Sequence, residues 1–105
     1  MNTFADTLKT LPPVSHLTHL ELYAAGACVA RIENKPGQAG SLAVYALLAD
    51  KYGKITPAAA VEGIQLYCEH SADARANPGK HPNIDRLLQL QQDGGELEVK
   101  LYPQA

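Results

Sequence analysis

The stretch Thr18-His19-Leu20-Glu21-Leu22-Tyr23-Ala24-Ala25-Gly26-Ala27-Cys28-Val29-Ala30-Arg31-Ile32-Glu33 decides the fold. Its first half alternates, with Leu20 and Leu22 on one side and His19, Glu21 and Tyr23 on the other. Its second half alternates again, with Cys28, Ala30 and Ile32 opposed to Val29, Arg31 and Glu33. A period of two sends successive side chains to opposite faces of a strand. Ala24 to Ala27 separates the two runs, and Gly26 tolerates positive φ there. The two runs predict a β-hairpin with one buried face.

Working outward, Glu96 to Tyr102 alternates in the same way, with Leu97, Val99 and Leu101 expected inside. Everything else reads as helix. Thr3 to Leu11 forms a short one, stopped by Pro12 and Pro13. Ser41 is expected to cap a helix from Leu42 to Tyr52, closed by Gly53. Thr56-Pro57 opens another, expected to run to about Ser71 with Val61, Ile64 and Cys68 on its apolar side. Gly63 inside that helix costs about 1 kcal/mol against Ala, which a close helix crossing would justify. Pro82 or Asn83 starts the last, carrying Ile84, Leu87, Leu88 and Gln91 and ending at Gly94-Gly95. The order α-β-β-α-α-α-β predicts an α+β domain over residues 1–105. Its three-stranded, mostly antiparallel sheet, hairpin plus C-terminal strand, is covered by helices on one face. Such a sheet has two edges, and a homodimer through an exposed edge is one way to cover one.

Composition narrows the classes of function. At 105 residues with 46% hydrophobic residues, the chain suffices for one modest core. Nine Lys and Arg against eleven Asp and Glu leave a formal charge of −2, which argues against nucleic acid as partner. No apolar run approaches the length of a membrane span, and the N-terminus does not resemble a secretory signal. The two cysteines, Cys28 and Cys68, sit in apolar-periodic segments and are expected to be free and buried, in a cytoplasmic protein.

Two loops hold the candidate binding residues. Residues 34–41 contribute Lys35, Gly37, Gly40 and Ser41, and residues 75–86 contribute Arg75, Lys80, His81 and Arg86. Each loop carries a cation into a helix start, where free amides and the helix dipole favour an anion. The expected partner is an anionic or phosphorylated small molecule. Neither GxxxxGK[ST] nor GxGxxG is present, and no cofactor is called for. His70, Asp73 and His81 offer a set of metal-ligand types, but their spacing matches no established motif, and none is assigned. Nor is there a GxSxG elbow, and no catalytic residue is assigned. Convergence of the loop cations in one cleft would favour ligand binding. Dispersal would favour a non-enzymatic interaction or regulatory module, and a carboxylate within reach of a histidine in that cleft would favour an enzyme. Tyr23 and Tyr102 are expected on the polar side of the sheet, as a partner surface.

Arg31-Ile32-Glu33-Asn34-Lys35-Pro36-Gly37, Gly40-Ser41-Leu42-Ala43-Val44-Tyr45 and Ala74 to Leu87 together resemble a small bacterial family known as a domain of unknown function, number 2322 in that series. The resemblance spans nearly the whole chain. It implies a small bacterial cytosolic protein and carries over no activity, cofactor or catalytic residue.

Overall fold

A computed structural model describes residues 3–104. The elements are α1 (Phe4–Leu8), β1 (Leu17–Ala24), β2 (Ala27–Glu33), α2 (Ala39–Tyr52), α3 (Pro57–Leu66), α4 (Glu69–Ala76), α5 (Pro82–Asp93) and β3 (Glu98–Pro103). The strands form one antiparallel sheet in the order β2-β1-β3, the α+β architecture expected. Leu17, Leu20, Leu22 and Ile32 turn one face of the sheet into the core. Against them pack Leu42, Val44, Tyr45 and Leu48 of α2, together with Ile64, Ile84 and Leu87 from the helices behind.

The hairpin turns through Ala25 (φ 51°) and Gly26 (φ 82°), the positive-φ pair of a two-residue turn matched to strand twist. Two bulges modify the alternation read from the sequence. Leu22 opposes Ala30 while Tyr23 opposes Cys28, so Val29 is an extra residue in β2. The slip carries Cys28 to the outer face beside Tyr23, and the cysteine expected inside is exposed. In β1, Thr18 is extra, since Leu17 opposes Pro103 and His19 opposes Tyr102. That slip lets Leu17 and Leu20, three apart, both face inward.

Thr56 caps α3 through its hydroxyl, and Pro57 occupies the first turn. The helix expected to reach Ser71 breaks at Cys68, whose backbone (φ 53°, ψ −121°) no helix can contain. Tyr67 ends buried, Cys68 half-buried, and α4 leaves in a new direction. Gly63 sits at a close crossing. A Cβ there would lie 2.7 Å from Leu87 Cδ1 and 2.9 Å from Leu48 Cδ1. That approach turns Ala59, Ala60 and Gly63 inward and leaves Val61, expected inside, 39% exposed.

The last strand is shorter than its alternation. Leu97 precedes β3 and exchanges backbone bonds with Ile55. Leu97 is buried and Val99 half-buried, whereas Leu101 is 43% exposed. Helical cover therefore thins along β3, and alternation alone does not reveal where it ends.

Candidate functional site

The start of α2, the end of α3 and the start of α5 converge on a cleft of about 410 Å³. Gly37, Gly40 and Ser41 line one side, and Lys80, His81 and Asn83 line another. Phe4, Leu8, Tyr67, His70 and Ile84 supply an apolar and aromatic wall. Five of the eight residues singled out from the sequence thus lie together: Gly37, Gly40, Ser41, Lys80 and His81.

The opening of α2 is built differently from the expected Ser cap. The helix begins at Ala39, and its N-cap, Gln38, makes no side-chain cap bond. The Gln38 amide oxygen instead accepts from the Glu33 backbone N–H at 2.9 Å, tying the loop to β2. Ser41 lies inside the first turn, where its Oγ accepts from the Tyr67 hydroxyl at 2.7 Å. The serine proton stays available to a further acceptor. Ala39 N–H and Leu42 N–H reach the carbonyls of Lys35 and Gln38. Between them the amides of Gly40 and Ser41 have no protein acceptor among the described residues, as the geometry of a helix start dictates. Gly40 also admits the ring of Phe4, which would stand 3.1 Å from a Cβ at that position.

Phe4 is placed by α4. Its backbone N–H donates to Glu69 Oε1 at 2.7 Å, a bond that holds the Glu69 carboxyl below its ordinary range. The Phe4 ring stacks on Tyr67 at 5.1 Å and meets His70 edge-on at 5.2 Å. Burial raises the Tyr67 hydroxyl far above its usual range, so it remains a donor to Ser41 at all ordinary pH.

Asp73, on α4, organises the second wall. Its Oδ2 meets His81 Nε2 at 2.7 Å and Lys80 Nζ at 3.0 Å, and its Oδ1 accepts from Asn77 at 2.9 Å. The His81 bond first, then Lys80, hold its carboxyl at about 2. Asp85 accepts from the Gly79 amide at 2.9 Å and fixes the same loop from the α5 side. Lys80 and Asp73 cancel as charges, so hydrogen-bond donors dominate the cleft.

Three predicted residues lie elsewhere. Lys35 pairs with Glu33 at 2.9 Å on the surface. Arg75 lines a separate shallow groove with Pro78, Asp85 and Gln92. Arg86 turns inward, donating to Asn83 Oδ1 at 2.9 Å and to the Tyr45 hydroxyl at 3.2 Å. It serves the buried Tyr45, whose phenol burial pushes up to about 12. Among the described residues, no three His, Cys, Asp or Glu side chains are grouped to hold a metal ion. Sequence reading missed Phe4, Tyr67 and Asn83. No motif marks Phe4 and Tyr67, which reach the cleft from α1 and the end of α3, and Asn83 lies in the 75–86 loop, where the sequence marks it only as a helix start.

The arrangement defines a small α+β domain with a donor-lined cleft at a helix start. The family described as uncharacterised protein conserved in bacteria, DUF2322, matches residues 4–101, and the chain belongs to it. No curated protein and no solved structure matches the chain. No helix among the described residues is long and apolar enough to cross a membrane.

Proposed function

We propose that this domain is a non-enzymatic binding module that takes the anionic group of a small molecule, such as a phosphate ester or a carboxylate, in the cleft between α2 and α5. The observation that carries this reading is the uncapped start of α2. Two amides without protein acceptors, Gly40 and Ser41, open a helix whose first turn lines the same cleft as Lys80 and His81. A helix start of this kind receives oxyanions through its amides and its dipole. Ser41 and Lys80 add side-chain donors, and the wall of Phe4, Tyr67 and Ile84 suits the carbon skeleton behind the anion. Both cysteines are free, in keeping with a reducing cytosol.

Amide NMR titration with inorganic phosphate at fixed ionic strength tests the reading. The amides of Gly37, Gly40, Ser41 and His81 should shift together and saturate. Lys80→Ala and His81→Ala should each weaken binding several-fold, while Lys35→Ala should leave it unchanged. Shifts that fail to saturate, or that chloride reproduces, would refute it.

One observation favours a second reading, an enzyme. A carboxylate 2.7 Å from an imidazole, with a serine hydroxyl in the same cleft, is the grouping that acid–base chemistry uses. Ester turnover abolished by Asp73→Asn at unchanged phosphate affinity would favour it over simple binding.

A further inference from the structure

The geometry points to β3 as a homodimer edge, on which a second copy of this chain pairs antiparallel about a two-fold axis at Leu101. This surface is separate from the cleft, and the inference does not depend on ligand binding.

The backbone directions of β3 follow from its bonded partners on either side. Leu97 exchanges both of its backbone bonds with Ile55, and Gln104 N–H reaches His16 on the β1 side. In an antiparallel ladder, alternate residues direct N–H and C=O to opposite neighbours. Glu98, Lys100 and Tyr102 therefore bond to β1, where they oppose Tyr23, Glu21 and His19. Val99 and Leu101 direct their backbone groups outward. Ile55 covers only Leu97, so among the described residues the outward groups from Val99 onward form an open ladder, a ready template for another strand.

The other edge is a poorer template. Val29 bulges β2 and breaks its ladder, and Arg31, Glu33 and Lys35 form a chain of ion pairs along it. Leu101, by contrast, is 43% exposed beside a mostly apolar groove of Pro12, Pro13, Leu17 and Leu47, with His16 and Asp50 also lining it.

Three registers of β3 self-pairing place the axis near the middle of the open stretch, at Val99, Lys100 or Leu101, and the chemistry selects one. An axis at Val99 would bring Leu101 of the partner subunit onto Leu97, whose bonds Ile55 already takes. An axis at Lys100 would set two ammonium groups opposite one another, an arrangement that destabilises a ladder. An axis at Leu101 makes Leu101 a hydrogen-bonded self-pair and lets the Val99 N–H reach the carbonyl of Pro103 of the partner subunit. It also sets Lys100 against Tyr102 of the partner subunit, a cation beside an aromatic ring. Pro103, which has no N–H to offer, falls where only its carbonyl is needed.

Native mass spectrometry and light scattering at submillimolar concentration test the state, with twice the 11.3 kDa chain mass expected. Leu101→Lys should give a monomer whose circular dichroism is unchanged, because the side chain is already part-exposed. Disulfide trapping tests the register in a Cys28→Ser, Cys68→Ser background. A hydrogen-bonded pair holds its Cα atoms about 5.5 Å apart, within disulfide reach, so Leu101→Cys should cross-link readily. Val99→Cys should not, since four residues of strand rise separate the two copies by roughly 13 Å. A monomeric parent chain would overturn the proposal. So would a dimer that survives Leu101→Lys, or one that cross-links through Val99→Cys in preference to Leu101→Cys.

Discussion

Gly63→Ala should destabilise the protein, although the substitution places the best helix former in the interior of α3. At an exposed site the change would gain about 1 kcal/mol in helix propensity. Here the new methyl would stand 2.7 Å from Leu87 Cδ1 and 2.9 Å from Leu48 Cδ1. Carbon atoms rest at about 3.5–4.0 Å, so each leucine must retreat by roughly 1 Å. Both are fully buried, and retreat pushes them into filled space. Overpacking costs about 1–3 kcal/mol, and two simultaneous contacts place this case in the upper part of that range. The net effect is a loss of about 1–2 kcal/mol, or roughly 5–10 °C in Tm for a domain of this size. Urea and thermal unfolding of the parent and the variant measure it. The decisive comparison is Gly63→Ala added to Leu87→Ala. With the nearer leucine removed, only the Leu48 contact remains and that side chain can yield into the vacated space, so the cost should fall well below its value in the parent. A higher Tm for Gly63→Ala alone, or equal costs in both backgrounds, would refute the close-crossing argument.

Asp73 titrates at about 2 in the folded protein against an ordinary 3.8, so its stabilising contribution is full above pH 3.8 and vanishes as pH falls through 2. Asp73→Asn should accordingly lower Tm at neutral pH, with the difference from the parent closing in strong acid; a constant difference across that range would contradict the pairing. A water-soluble thiol reagent should modify one thiol quickly in the native state, identified by mass spectrometry as Cys28, while Cys68, half-buried against Thr7, reacts slowly. Ala25→Asn should raise stability by about 0.5–1 kcal/mol in chemical denaturation, because Ala25 holds a positive φ that Asn accepts more readily.

The strands, the turn at Gly26, the cap at Thr56 and the helix end at Gly53 were legible because each depends on neighbouring residues only. Positive φ at Gly26 and Gly53, and the Thr56 hydroxyl on the Ala59 amide, are local chemistry. The bulges at Thr18 and Val29 were not legible, since a bulge is a relation between two strands. One extra residue was enough to move Cys28 from the expected inner face to the outer one. The break at Cys68 was hidden for a related reason: the apolar period runs on through Tyr67, and no Gly or Pro marks the left-handed residue. In the cleft, loop composition brought Lys80, His81 and the Gly40-Ser41 turn to notice. It could not foresee that Glu33 occupies Lys35, that Tyr45 draws Arg86 inward, or that Asp73 neutralises Lys80.

The strand order β2-β1-β3 also sets a timetable for folding. The hairpin joins neighbouring residues and needs only a short loop to close. The other side of β1 waits for a strand far along the chain, with Leu22 opposite Val99 and Leu20 opposite Leu101. As a nascent chain emerges, the middle strand of the finished sheet therefore stays an open edge until residues 98–103 have followed it. Contacts of such long sequence separation slow the search and leave apolar surface exposed meanwhile. A chain stalled before Glu98 holds every helix among the described residues and lacks the strand that closes the sheet, so one side of β1 stays open for pairing.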